Sequence, residues 1–124
     1  MGVDVRVPAT VANLGPGFDC LGAGLGTYLE VRITRSERVE IIGGDASIAV
    51  DDDLTYRAFV SAFAAVGEQA PPVRIQVLRA YPAARGLGAS AAAIVSAVIP
   101  ALICGPCWGS SSAVWTGSGR WRSG

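Results

Sequence analysis

Pro82-Ala83-Ala84-Arg85-Gly86-Leu87-Gly88-Ala89-Ser90-Ala91-Ala92-Ala93 is a glycine-hinged loop that opens an alanine-rich helix. Gly86 and Gly88 admit tight backbone angles and close approach by another group. The first turn of the following helix offers unpaired N–H groups and the positive end of its dipole. Phosphate is the natural guest of such a cradle. The same letters also suit a plain turn that caps a buried helix, and the segment alone does not separate the two readings.

Outward from this loop, the chain alternates between strand and helix patterns. Val73-Arg74-Ile75-Gln76-Val77-Leu78 follows Pro71-Pro72 and alternates apolar with polar residues, as a half-buried strand does. Asp51-Asp52-Asp53 supplies an N-cap and an acidic first turn for a helix over about 54–66. Leu54, Ala58, Phe59, Ala62, Phe63 and Val66 form its apolar face, and Gly67 suits its C-terminal cap. Val3–Val7, Tyr28–Thr34 and Val39–Ile42 alternate as strands, with a turn at Gly43-Gly44-Asp45. The stretch from Pro8 to Gly17 holds two prolines and two glycines and reads as a constrained loop. After the phosphate loop a helix is predicted over about 89–99, with Pro100 interrupting it. This order predicts an α+β domain, not a doubly wound one.

Composition narrows the function classes. The 124 residues carry ten basic and ten acidic side chains, so no net charge draws the chain to nucleic acid or an anionic membrane. Three cysteines do not make a disulfide framework, no signal peptide precedes the first strand, and no window of about 18 apolar residues supports a spanning helix. A cytoplasmic protein is expected. Every basic residue is arginine and there is no histidine. That removes imidazole acid–base chemistry and most zinc sites, so catalysis must work by positioning and charge.

Residues 7–22 read Val-Pro-Ala-Thr-Val-Ala-Asn-Leu-Gly-Pro-Gly-Phe-Asp-Cys-Leu-Gly. Together with the Pro82–Ala93 loop, this stretch resembles the GHMP kinase superfamily and, within it, the homoserine kinase family. Pro8-Ala9-Thr10 through Asp19 resembles the family's first signature, and Pro82 through Ala91 its phosphate-binding second signature. The resemblance runs from about residue 3 to about residue 98. It implies a ribosomal-S5-domain-2-like N-terminal domain, truncated here, because GHMP kinases are more than twice this length. It also implies ATP-dependent phosphorylation of L-homoserine to O-phospho-L-homoserine on the route to threonine, with magnesium, and a homodimer for full-length members. Another small-molecule GHMP kinase, such as a mevalonate or galactose kinase, and a non-catalytic nucleotide-binding module stand as alternatives.

The resemblance assigns ATP binding to Pro82, Ala83, Ala84, Arg85, Gly86, Leu87, Gly88, Ala89, Ser90, Ala91 and Ala92. Ser90 matches the family's second loop serine, with phosphate or magnesium as its partner. Ala89 stands where the family usually has another serine. Arg85 suits either phosphate or solvent. Asn13 and Asp19 match substrate contacts, where a carboxylate can grip the ammonium group of homoserine and an amide its polar end. On their own chemistry the two equally suit an Asx-type turn and a loop cap. Asp53 falls near a position where related kinases touch adenine, but an N-cap explains it as well. Tyr56 and Phe59 read as helix-face residues, and Cys20 as a small buried packing residue.

What the chain lacks carries equal weight. No Asp or Glu follows Glu68, whereas phosphoryl transfer typically places a carboxylate at the magnesium ion. The family's metal-binding Glu and third glycine-rich signature have no counterpart, so catalytic residues are not assigned. The expected organisation is an incomplete kinase domain over 1–98 followed by an aberrant or disordered tail over 99–124. All three tryptophans fall in that tail, among Gly, Ser and Arg. An out-of-frame reading of a GC-rich gene yields such a mixture, so a frameshift near residue 98 is the hypothesis. Cys104-Gly105-Pro106-Cys107 matches a thioredoxin-type motif but lacks the preceding βαβ unit and has too few ligands for zinc.

Overall fold

Val3, Val5, Val7 and Ala9 all point inward and are buried, while Arg6 among them and Thr10 just after them are exposed. This alternation carries strand β1 from Gly2 to Ala12, through Pro8 and beyond the predicted end. The computed structural model describes residues 2–82, 84–104, 113–116 and 120–123, with side chains for 2–82 and 84–102. The stretch read as a loop from Pro8 is therefore strand as far as Ala12. The pairing slips between Pro8 and Thr10, and such a bulge accommodates a residue that cannot donate to the ladder.

β1 pairs antiparallel with β2 (Gly22–Arg35), and β2 antiparallel with β4 (Val73–Arg79). The short β3 (Glu40–Ile42) lies parallel to β4 at one edge. On the other side β5 (Ala113–Thr116) runs parallel to β1 over Val3–Val5, and β6 (Arg120–Ser123) pairs antiparallel with β5. The strand order is β3-β4-β2-β1-β5-β6. This mixed sheet with two helices has the expected α+β composition.

Both helices cover one face of the sheet. Helix α1 (Leu54–Ala65) follows a single 3-10 turn at Val50–Asp52, and α2 spans Ala89–Cys104. Phe59, Ala62 and Phe63 of α1 and Ala92, Ala97 and Ala101 of α2 meet Val3, Val5, Val31, Ile33, Val73 and Ile75 of the sheet in one core. Leu54 and Val66, expected on that inner face, are instead exposed.

Asp53 caps α1: its side chain accepts the Tyr56 N–H at 3.0 Å. Gly67, at φ +76°, closes the other end, with its N–H on the Ala64 carbonyl. The Asp53→Ala variant is expected to lose about 1 kcal/mol of stability in urea unfolding, and Asp53→Asn to retain most of it.

Helix α2 does not stop at Pro100, contrary to the sequence expectation. The proline falls one turn before the helix end, so it removes a single donor, and its ring is fully buried. Ser96, also fully buried, satisfies its hydroxyl by donating to the Ala93 carbonyl at 2.8 Å.

The other face of the sheet carries charge. Asp4 lies opposite Arg32 in the register and receives two hydrogen bonds from it, at 2.6 and 2.7 Å. Arg6 pairs with Glu30 across the same two strands and lies 3.8 Å over the Tyr28 ring. Hydrogen bonds from Arg38 and Arg74 hold the Glu40 carboxyl below the usual carboxylate range. Exposed pairs of this kind add little net stability, but they favour the observed register over a slipped one.

After residue 98 the described backbone comprises the end of α2, β5 and β6. Gly105, Pro106 and Cys107 of the Cys-Gly-Pro-Cys motif lie outside the described residues, as does Trp108.

Candidate phosphate-binding site

Strand β4 ends at Arg79 and the chain turns toward α2 through 80–88. Tyr81 packs against the core; its hydroxyl is buried without a partner among the described residues, and burial raises its pKa. Ala83 lies outside the described residues, whereas Pro82 and Ala84 through Ala92 are described. Ala84, Gly86 and Gly88 have φ of +57°, +68° and +70°. Arg85 and Leu87 between them do not. Alternation of this kind turns successive N–H groups toward one side and builds backbone concavities for anions.

Gly88 starts the helix, since its carbonyl accepts the Ala92 N–H at 2.9 Å. None of the backbone N–H groups from Gly86 to Ala91 donates to an acceptor among the described residues. A run of open donors at a helix N-terminus is the electrostatic complement of a phosphate group. Ser90 places an exposed hydroxyl in this first turn. Arg85 is exposed and has no ion-pair partner among the described residues.

One contact that the sequence reading missed holds the cradle in place. The Thr10 N–H donates to the Leu87 carbonyl at 2.9 Å, tying the loop to β1 just past its bulge. A Cβ on Gly88 would run into the Thr10 hydroxyl. Gly88 therefore serves both a left-handed backbone and a close approach. The signal lay in Pro8-Ala9-Thr10 of the first motif, but nothing local pairs residue 10 with residue 87.

Three residues beyond Thr10, at most roughly 10 Å along an extended chain, begins the loop between β1 and β2. Asn13 and Asp19 both sit in the left-handed region, at φ +57° and +56°. Asn13 Oδ1 accepts the Asp19 N–H at 2.8 Å, so the Asn13 side chain closes the loop. The Asp19 carboxylate has no hydrogen-bond or ion-pair partner among the described residues. Gly17 is buried under Leu21, and its N–H reaches the Leu14 carbonyl at 2.9 Å. Cys20 in this loop is exposed, not buried as expected. The loop lies outside the helix-covered core, which leaves no apolar packing for it.

The Asn13→Ala variant both removes that acceptor and puts a Cβ-bearing residue without a polar side chain at positive φ. A loss of about 1–2 kcal/mol is expected. Asn13→Gly keeps only the first penalty and should lose less, as chemical denaturation of the pair would show.

Asp53 is engaged as the α1 cap, Phe59 is buried in the core and Tyr56 packs half-buried against it. Among the described residues, no group of three or more His, Cys, Asp or Glu could hold a metal ion. None of their helices is long and apolar enough to cross a membrane.

The arrangement is thus a sheet-and-helix domain whose phosphate-type cradle is latched to the strand leading into a second polar loop. The chain is similar to homoserine kinases. It is 44% identical over 105 residues to homoserine kinase of Nostoc punctiforme, covering 80% of this chain and 34% of that protein. It is also 44% identical over 108 residues to homoserine kinase of Moorella thermoacetica, covering 82% and 36%. The crystal structure of homoserine kinase from Cytophaga hutchinsonii superposes with a TM-score of 0.68 at 28% identity, over 82% of this chain and 35% of that one. The chain spans about a third of the length of the relatives it matches. No family model matches the sequence.

Proposed function

We propose that this chain is the N-terminal, nucleotide-binding portion of a homoserine kinase, with the ribosomal-S5-domain-2-like topology of GHMP kinases. The observation that carries the reading is the open run of N–H donors from Gly86 to Ala91, held by Thr10 against the strand that leads to Asn13 and Asp19. In the complete enzyme the hydroxyl oxygen of L-homoserine attacks the γ-phosphorus of ATP in line. The bond from that phosphorus to the β,γ-bridging oxygen breaks, the hydroxyl proton departs, and O-phospho-L-homoserine and ADP leave. Pro82–Ala92 receives the phosphates, chiefly through backbone N–H groups, with the Ser90 hydroxyl as a further ligand. Asp19 grips the substrate ammonium group and Asn13, while closing the loop, turns its amide toward the substrate's polar end.

Magnesium fits this portion poorly. Ser90 is one oxygen donor, but no carboxylate follows Glu68 in the chain and no acidic cluster lies beside the cradle among the described residues. Magnesium prefers several oxygen ligands, typically with a carboxylate among them. No step is assigned to a metal held by this chain, and turnover belongs to a longer polypeptide of cytoplasmic, homodimeric type.

Residues 1–98 form the kinase portion in this reading, and 99–124 an out-of-frame extension. The matched share of 80% is about the share that 1–98 make up. Calorimetry should detect ATP binding to the purified chain, and a coupled ADP assay with homoserine should register no turnover. Turnover would overturn the partial-enzyme reading, and absence of ATP binding would overturn the cradle. DNA downstream of codon 98, read in three frames, should contain the missing acidic and glycine-rich segments.

A further inference from the structure

Strand β1 is 11 residues long and pairs with β2 from Gly2 to Ala12. Beyond that pairing the strand is guarded piece by piece. At Thr10 the N–H is taken by the Leu87 carbonyl. Pro8 has no N–H to offer, and the register slips between Pro8 and Thr10; both features blunt a strand edge. The stretch without such a device is Val3-Asp4-Val5-Arg6-Val7. There the backbone of β5 runs alongside, with Ala113, Val114 and Trp115 opposite Val3, Asp4 and Val5.

The covered stretch is self-complementary. Laid antiparallel about Val5 on a second copy, it sets Val3 opposite Val7 and Asp4 opposite Arg6, each twice by symmetry. The second strands extend the pattern, since Arg32 is in register with Asp4 and Glu30 with Arg6. One row across the joined sheets then reads Arg32, Asp4, Arg6, Glu30, with charges alternating at every step. Opposite charges directly across a strand pair attract. The rows on the helix-covered face read Val31, Val5, Val5, Val31 and Ile33, Val3, Val7, Leu29, all core or core-packed residues. An open edge of this pattern is a template for pairing with another chain.

We infer that the hairpin of β5 and β6 is an edge cap: it masks a self-pairing strand at Val3–Val7 and keeps the chain from joining a second copy sheet to sheet. With the hairpin in place the sheet ends at β6 instead of β1. β6 is four residues long, and its sequence Arg-Trp-Arg-Ser holds two arginines. A short edge strand bearing charge is a poor template for further pairing. The cap meets β1 at three register positions only, so it can detach while the sheet and helices stay folded. This inference is independent of the phosphate cradle and of the reading frame of the tail.

Sedimentation velocity over a concentration series tests it on the full chain. Val114 is the middle of the three β5 positions and pairs with Arg122 of β6 as well, so Val114→Pro disrupts the hairpin at its centre. The unmodified chain is expected to sediment as a monomer and the Val114→Pro variant as a concentration-dependent dimer. Adding Arg6→Gln removes both Asp4–Arg6 pairs and is expected to weaken that dimer about tenfold. Adding Arg74→Gln instead, on β4 and away from this edge, should leave it unchanged. Thermal melts check that each variant is folded, and Val114→Gly, a milder lesion, replaces Val114→Pro if the latter has no cooperative transition. Hydrogen exchange on the unmodified chain reads the cap itself, with the amides of 3–5 and 113–116 expected to be protected together. A folded hairpin variant that stays monomeric overturns the inference. So does a dimer that Arg6→Gln leaves intact or that Arg74→Gln weakens as much, an unmodified chain that is already dimeric, or unprotected amides over 113–116. Loss of cooperative melting in both hairpin variants overturns it too, because a detachable cap leaves the domain folded.

Discussion

Gly88→Val is expected to destabilise the domain by roughly 2–5 kcal/mol and to lower ATP affinity by about a hundredfold. Two penalties add. A side chain at φ +70° costs on the order of 1–2 kcal/mol. The new Cβ is driven into the Thr10 hydroxyl, with the Thr10 Cβ at 3.5 Å and its carbonyl oxygen at 3.6 Å behind it. Overpacking of this kind costs about 1–3 kcal/mol. The loop can relieve the collision only by leaving β1, which breaks the Thr10–Leu87 bond and turns the open N–H groups away from the phosphate. Losing two hydrogen bonds to a charged group accounts for an affinity change of about that size. Gly86→Ala is the internal control, because its φ of +68° is similar but no atom lies within 4 Å of the added carbon. That variant should pay the backbone cost alone. Urea unfolding and calorimetry with ATP separate the two terms, and equal losses for the two variants would refute the role given to Thr10.

Phe59→Ala is expected to abolish the cooperative thermal transition at physiological temperature. Phe59 is fully buried, packs its ring 5.0 Å from that of Phe63, and bridges α1 to the sheet core. Truncating such a residue costs about 3–5 kcal/mol. Domains of this size have only about 5–15 kcal/mol in total, and this one leaves Ile94, Val95 and Leu102 uncovered. Val60→Ala, one residue along and 37% exposed, should shift the midpoint by no more than a few degrees. Circular dichroism melts of the pair give the comparison.

Much of the fold was readable because its signals are local. Val3, Val5 and Val7 alternate, Asp53 precedes a helical period, and Gly86 and Gly88 mark a tight loop. The misreadings occurred where tertiary packing outweighs local rules. Pro8 looks like the end of a strand, yet Ala9 continues the inward side of the pleat and the strand runs on to Ala12. Pro100 looks like a helix stop, yet a fully buried ring near the end of α2 is tolerated. Leu54 and Val66 have the right spacing for a core face but line or flank an open groove. Of the candidate site, the glycines and the Asn13–Asp19 segment were legible as motifs. Their mutual support was not, because the Thr10–Leu87 bond joins residues whose proximity depends on the whole sheet.

That bond makes the cradle a reporter of the folded state. On the proposed reading, an unfolded chain, or one whose first strand has not joined the sheet, has no ordered run of donors to offer, so nucleotide would bind only the native ensemble. Occupancy and folding then become a single linked equilibrium. ATP present at a hundred times its dissociation constant would add about 2.7 kcal/mol to the unfolding free energy of the entire domain. On that reading a nucleotide-rich solution would stabilise the chain by thermodynamic pull, as any ligand of the folded state alone does, without touching its core.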